Sequence, residues 1–396
     1  MTNIQNIISD NIRNVEPHLT EESRDILKLI PKCKTGTLGY IISKCIECGS
    51  IEYHPLSCRN RNCPCCQNRA KELWIERQKM STLNTKYYHL VATVPNVLYQ
   101  IFMQNQEEMY ELLMKTSADA LMELCLDEKY VGGKIGILQI LHTWNQKMMY
   151  HPHAHMLVPA IGLRGEEIVY PRNEKYLVPV YAYSKLYRGK FISRLNKKHK
   201  DLKFYGEMEK YKDKKEWNKL LGKLEKKEFV TYVKEPYENA NTVIEYFGRY
   251  TYKIVISESR IISYDGKDVI FRYKDRKDNN KNKTLKISGE AFTERYALHI
   301  LPKGFRKIRG YGILANKNKS KRIESINEAL NKVEETIKKF GNLVISKIED
   351  KEEVEEVKSN QMYRCSKCKG ELKLVQILTD PIKISKLPKE IIEERS

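Results

Sequence analysis

No stretch of this sequence is apolar for anything near the ~18 residues that a membrane-crossing helix needs, which excludes such a helix. The opening MTNIQNIISDNIRNVEPH lacks the basic-then-apolar order of an export signal, so a cytoplasmic location is expected. No internal repeat is found. Acidic residues are in short supply: 51 Asp and Glu face 71 Lys and Arg, a net charge of +20. The basic residues spread over most segments, and nucleic acid is the obvious polyanionic partner. A Lys-rich composition whose lysines are merely solvated is the plain alternative. What remains is 41% hydrophobic, enough for a real core, in a 396-residue chain with room for two or three domains.

Ten cysteines in a cytoplasmic chain of this size argue against a disulfide framework, and their spacing gives another reason for them. Cys45-x-x-Cys48 and Cys63-x-x-Cys66 are two knuckles separated by fourteen residues, the spacing of a zinc ribbon. Each pair can turn two thiolates toward one ion, and two pairs complete a closed, structural tetrahedral site. Cys33, His54 and Cys58 are surplus ligands nearby, either for a second ion or as packing residues, and Cys65 lies inside the second knuckle. Cys365-x-x-Cys368 is half a site, binding zinc with partners elsewhere or forming a surface turn.

Periodicity divides the chain into three expected regions. Residues 1–80 hold an N-terminal helix and the zinc-binding, DNA-recognition module, ending in a connecting helix over 70–80 with Trp74. Residues 81–315 form a large central region with strands at 87–94, 134–144 and 150–159, a helix over 97–126, and strand pattern over 253–273 turning at Tyr264-Asp-Gly-Lys267. Within it, about 175–230 is so rich in Lys that it is expected as a charged, mostly helical insertion outside the core. Residues 316–396 are a charged helical region carrying the late Cys-x-x-Cys pair.

The segment HPHAHMLVP (151–159) places His151, His153 and His155 on one strand face, with Ala154 and Met156 on the other. Two imidazoles on one face can share a divalent ion, and His142, on the neighbouring predicted strand, can supply a third ligand. A hydrogen-bonded cluster without metal is the alternative, and three histidines around an open position also suit a zinc hydrolase. Downstream, Thr242 and Glu245 form a capping-box start, so Tyr246 and Tyr250 should share a helix face. Packing is the usual role of such a pair.

Together, a histidine pair flanking an apolar residue on a strand and a later helix with two tyrosines four apart resemble the HUH endonuclease superfamily. More closely, the chain resembles the two-tyrosine rolling-circle transposases of bacterial insertion sequences. The blocks carrying the resemblance are Cys45-x-x-Cys48-Gly49, SCRNRNCPCCQ (57–67), HTWNQ through HPHAHMLVP, EYFGRYTYKIVISESRI (245–261) and HILPKGFRKIRGYGIL (299–314). The resemblance implies an α+β fold: an HUH endonuclease-like central antiparallel sheet with flanking helices, preceded by a small zinc-ribbon-like module. It implies His153 and His155 as the metal pair, His142 as third ligand, and Tyr246 and Tyr250 as nucleophiles, with His151 outside the core pair. Mg²⁺ or Mn²⁺ would be the catalytic ion and Zn²⁺ the structural one. The partner would be DNA, single-stranded or hairpin at element ends, cleaved and rejoined through a 5′-phosphotyrosine. Arg59, Arg61, Arg249, Lys303, Arg306, Lys307 and Arg309 are the candidate DNA contacts. Departures from the family pattern are Ala160-Ile161 after the histidine strand, the extra Cys65, and Lys369 where a glycine is usual. The other readings are a non-cleaving zinc-ribbon DNA-binding protein, a nickase of the replication-initiator or relaxase kind, and the three-histidine hydrolase.

Overall fold

The computed structural model describes residues 2–79, 82–229, 231–237, 248, 254–275, 278–341 and 364–380. The chain opens with α1 (Asn3–Val15), fixed by a capping box in which Thr2 accepts from the Gln5 amide and Gln5 reaches back to Thr2 N, 2.9 Å away. Its Ile4, Ile7, Ile8 and Ile12 form the buried stripe that their spacing predicts. Then come α2 (Glu21–Leu29), the hairpin β1 (Tyr40–Cys45) and β2 (Ile51–Pro55), and α3 (Pro64–Lys79).

A seven-stranded antiparallel sheet follows. It is built from β3 (Tyr87–Thr93), β4 (Lys134–Trp144), β5 (Tyr150–Pro159), β6 (Gly162–Arg164), β7 (Glu167–Val169), β8 (Thr231–Tyr237) and the later β12 (Ile308–Gly312). The order is β7-β6-β4-β5-β3-β8, with β12 also pairing along β4. The histidine strand β5 thus lies between two long partners.

The two faces of this sheet are covered differently. Leu90, Ala92, Leu141, Ala154 and Met156 face a core closed by α4 (Tyr99–Gln104), α5 (Gln106–Leu126) and α6 (Val180–Lys197). Expected as one helix over 97–126, α4 and α5 are broken at Asn105, whose side chain bonds the backbone of Lys203 in both directions at 2.8 and 2.6 Å. The Lys-rich segment at 175–230 is mostly helical as expected, but it does not lie outside the core. Tyr183, Tyr187 and Phe191 on α6, and Trp217, Leu220 and Leu224 on α7 (Lys214–Lys226), are buried in the same core. Their spacing of three and four residues makes a stripe that the lysines on the outer faces obscure in the composition.

Further along run β9 (Ile261–Tyr264), β10 (Asp268–Asp275) and β11 (Lys281–Ser288), then α8 (Gly289–Ala297) and α9 (Lys319–Gly341). The turn expected at 264–267 joins β9 to β10, with Gly266 at φ +90°. The α1 stripe packs on Val269, Phe271, Phe292 and Tyr296 of this region. Gly289 is required there, because a Cβ on it would fall 2.4 Å from the Asn11 side chain. The second face of the central sheet, with Tyr87, Ile140 and Leu157, is covered by Ile323, Ile326 and Leu330 of α9, and Trp74 of α3 packs against the same cluster. Last, β13 (Leu372–Leu378) pairs antiparallel with β1, so a small sheet β13-β1-β2 joins the two ends of the chain.

Candidate active site and metal centres

The register of β4 against β5 sets His142 directly opposite His153, two residues from His155 along the same face. The three rings are buried or nearly so, with centroids 4.7 to 5.5 Å apart, and one ligand nitrogen from each lies within 4.8 Å of the others. For His153 a neighbouring group decides which nitrogen this is. His153 Nδ1 is 2.7 Å from the backbone carbonyl of His151, an acceptor only, so Nδ1 carries the proton and Nε2 the lone pair. His155 Nδ1 meets His89 Nε2 at 2.9 Å, and His142 stacks on Trp144 with centroids 4.7 Å apart. Polar partners that fix ring and tautomer are what a metal-binding imidazole requires. His151 is not among the converging ligands: its ring lies 5.0 Å from that of His153, and its Nδ1 is held 2.5 Å from the Tyr99 hydroxyl. The register slip between His142 and Trp144 interrupts the β4–β5 ladder beside the site, a common place for a bulge.

Tyr246, Tyr250 and Arg249 lie outside the described residues. Gly248, between the tyrosines, is buried and helical, and a Cβ on it would fall 2.4 Å from Ile75 on α3, next to Trp74. Since Trp74 packs on Ile140 and Leu157, Gly248 belongs to the sheet face that carries the histidines.

The cysteines divide differently from the expected ribbon. Cys45 and Cys48 do not share a site with Cys63 and Cys66. Instead Cys33, Cys58, Cys63 and Cys66 converge, and Cys45 and Cys48 meet Cys365 and Cys368. The reason is topological: β1 carries Cys45 to its end beside β13, while Cys63 starts α3 against the core under α1. In the first group the sulfurs of Cys33 and Cys58 lie 3.6 and 3.7 Å from Cys66. A zinc tetrahedron with Zn–S of about 2.3 Å has edges of about 3.8 Å, against about 2.05 Å for a disulfide, so this group fits a closed zinc site. Crowding makes the thiols compete for protons: hydrogen bonding from Cys58 pulls Cys33 far down, and Cys33 in turn pushes Cys58 up to about 12. His54 is not a ligand and pairs with Glu52 at 3.3 Å. Cys65 turns its sulfur toward Gln5, 3.7 Å away.

Residues 136–322 match a family model described as "Putative transposase", and residues 4–94 match the transposase zinc-binding domain of the IS91 type. A protein named "Putative transposase y4qJ" from Sinorhizobium fredii (strain NBRC 101917 / NGR234) is 32% identical over 315 residues, 79% of each chain. The "Transposase for insertion sequence element IS801" of Pseudomonas savastanoi pv. phaseolicola is 29% identical over 332 residues, 79% of this chain and 77% of that one. No solved structure matches. The chain belongs to the IS91-type transposases.

The transposase uses some of its candidate DNA-contacting cations internally. The Arg61 guanidinium donates to the carbonyls of Leu301, Pro302 and Phe305 at 2.5 to 2.9 Å, tying the zinc module to the segment before β12. Arg309 pairs with Glu111 at 2.5 Å and lies over the Phe305 ring. Arg59, Lys303 and Arg306 are exposed. Lys307 lines a small cavity with Arg61, Trp144 and His299, and burial pushes its ammonium down to about 8. Trp144, which stacks on His142, lines this same cavity. Two residues of the transposase site escape sequence reading: His89 and His299. The signal for His89 was an imidazole in the otherwise apolar strand YYHLVAT; His299 had none beyond its place in a matching block.

Proposed function

We propose that this IS91-type transposase cleaves and rejoins single-stranded DNA at the ends of its element by HUH chemistry, through a 5′-phosphotyrosine, in rolling-circle transposition. The observation that carries the proposal is the convergence of His142, His153 and His155 on one sheet face, with His153 fixed to present its Nε2 lone pair. These three would hold a divalent ion, which when bound withdraws charge from a non-bridging oxygen of the scissile phosphate. Three imidazoles are a softer donor set than Mg²⁺ prefers, so Mn²⁺ is the better fit of the two.

Tyr246 and Tyr250 are the proposed nucleophiles, on the resemblance that the EYFGRYTYKIVISESRI block carries. In the proposed step the phenol oxygen bonds to phosphorus as the bond from phosphorus to the 3′ oxygen breaks. The phenol loses its proton and the departing oxygen gains one, leaving a free 3′-OH and a 5′ phosphate on the protein. The phosphodiester energy is retained, so a new 3′-OH can reverse the step without ATP. A phenol with an ordinary pKa near 10 needs help to ionise at neutral pH, from the ion or a base. Two tyrosines allow a second cleavage while the first adduct persists.

The test is incubation of the protein with end-labelled single-stranded DNA from an element end and Mn²⁺ or Mg²⁺, read on a denaturing gel. A labelled band at the protein's mass, lost when Tyr246→Phe and Tyr250→Phe are combined and lost in His153→Ala, is the expected result. No adduct with any end sequence would favour the non-cleaving DNA-binding reading. An adduct surviving the double tyrosine change would remove these nucleophiles.

A further inference from the structure

The matched zinc-binding domain ends at residue 94, yet two of its cysteines, Cys45 and Cys48, find their partners 323 and 317 residues away, respectively. We propose that Cys45, Cys48, Cys365 and Cys368 bind a second structural zinc ion, one that clasps the C-terminal strand to the N-terminal module.

The two halves have the same local architecture. In the first, Gly49 N donates to Cys45 O at 3.1 Å and Cys45 N donates to Ser50 O at 2.8 Å. In the second, Lys369 N donates to Cys365 O at 2.9 Å and Cys365 N donates to Gly370 O at 2.9 Å. Both turns pass through the left-handed region just after the second cysteine, at φ +71° for Gly49 and +64° for Lys369. Both bury the first sulfur and expose the second. This is one knuckle made twice, facing itself. Across the pair, Cys45 to Cys368 is 3.4 Å and Cys48 to Cys365 is 3.6 Å, close to the tetrahedral zinc edge of about 3.8 Å. Gly370 N lies 3.4 Å from Cys368 Sγ, a donor placed for a thiolate.

The charges around the four sulfurs fit as well. Four thiolates around Zn²⁺ carry a net charge of −2. Lys44 and Lys373 sit directly opposite each other on β1 and β13, immediately before Cys45 and after Leu372. Like charges so placed oppose strand pairing, and an anionic cluster at the strand ends offsets that repulsion. Lys367 and Lys369, inside and after the second knuckle, add to the same collar.

The ligand set also says what the ion does. The strand β13 carries Leu374, Val375 and Ile377 exposed, so little apolar burial holds it to β1. With Zn²⁺ in place the pairing is fixed by four metal bonds, and the zinc module becomes a composite of the two ends of the chain.

The experiment is metal counting on the full chain, purified without chelator, by elemental analysis and native mass spectrometry. It is done with His153→Ala and His155→Ala present, so that zinc on the histidines does not enter the count and the result does not depend on the DNA chemistry. Two zinc ions per chain are expected, falling to one with Cys368→Ser and to one with Cys66→Ser. Cobalt substitution of the Cys66→Ser chain should give the visible bands of a tetrahedral tetrathiolate site, lost on adding Cys368→Ser. One zinc before any cysteine is changed overturns the proposal, as does iron in its place. So does a chain mass two daltons low under denaturing, non-reducing conditions, which would mean a disulfide between the knuckles.

Discussion

His89 Nε2 lies 2.9 Å from His155 Nδ1, the two buried rings stacked only 15° from parallel. One proton serves the contact. For His155 to offer its Nε2 lone pair to an ion, its Nδ1 must donate, and His89 Nε2 must accept. His89 is thus a positioning residue, three strands' width of sheet being organised around β5: His89 from β3, His153 and His155 from β5, His142 from β4.

Loss of that partner should weaken metal binding without removing a ligand. His89→Ala is expected to lower Mn²⁺ affinity about 10- to 100-fold by calorimetry, with partial recovery in His89→Gln, whose amide oxygen can accept. His155→Ala should abolish binding. Equal affinity in wild type and His89→Ala would show that the contact does not orient the ligand.

Trp217 tests the place of the 175–230 segment. It is almost fully buried against His199 and Phe204, and its Nε1 donates to Asn196 at 3.0 Å. Trp217→Ala should cost about 3–5 kcal/mol in urea unfolding, the usual price of a large aromatic in a core. A solvated arm would lose less than ~0.5 kcal/mol.

Arg61 distinguishes a structural cation from a DNA contact. With three carbonyls as its partners, Arg61→Ala should destabilise the chain by about 2–4 kcal/mol. It should leave the slope of log affinity for DNA against log salt unchanged. A slope smaller by about one would mean that it meets a phosphate.

His299 makes the fold sensitive to acid. Burial lowers its pKa from 6.5 to about 4, with Thr143 and Met148 as ring partners. The unfolded chain therefore takes up the proton first. The stabilisation is fully present above about pH 6.5 and is lost as pH falls toward 4, up to about 3 kcal/mol. His299→Gln should flatten the difference in urea midpoint between pH 7.5 and 5.5; an unchanged difference would assign the acid sensitivity elsewhere.

Lys369 holds a left-handed conformation that costs a side chain about 1–2 kcal/mol, part of which a glycine repays in unfolded-state entropy. Lys369→Gly should raise stability by roughly 0.5 kcal/mol, seen as a higher urea midpoint at constant zinc. No gain would mean that the lysine charge beside the four sulfurs matters more than the backbone strain.

The pairing of the His142 strand with the histidine strand was legible because alternation along HPHAHMLVP marks a face, and because His142 stands on the strand that a short turn pairs with it. The turn at Gly266 and the buried stripe of α1 were legible for the same local reason. The aromatic stripe of α6 was present but hidden: composition averages the faces of a helix, and only spacing separates them. The internal role of Arg61 was not legible, since its three carbonyl partners are some 240 residues away.

By itself the sequence determined the ligand chemistry. Thiols in Cys-x-x-Cys turns and imidazoles on alternate positions are local patterns, and their geometry follows from three or four consecutive residues. Which turn faces which was decided only by tertiary structure. A knuckle offers two of the four bonds zinc takes, and nothing in five residues says where the other two are; that was settled when β13 paired with β1 and brought Cys365 and Cys368 to Cys45 and Cys48, while α3 carried Cys63 and Cys66 to Cys33 and Cys58.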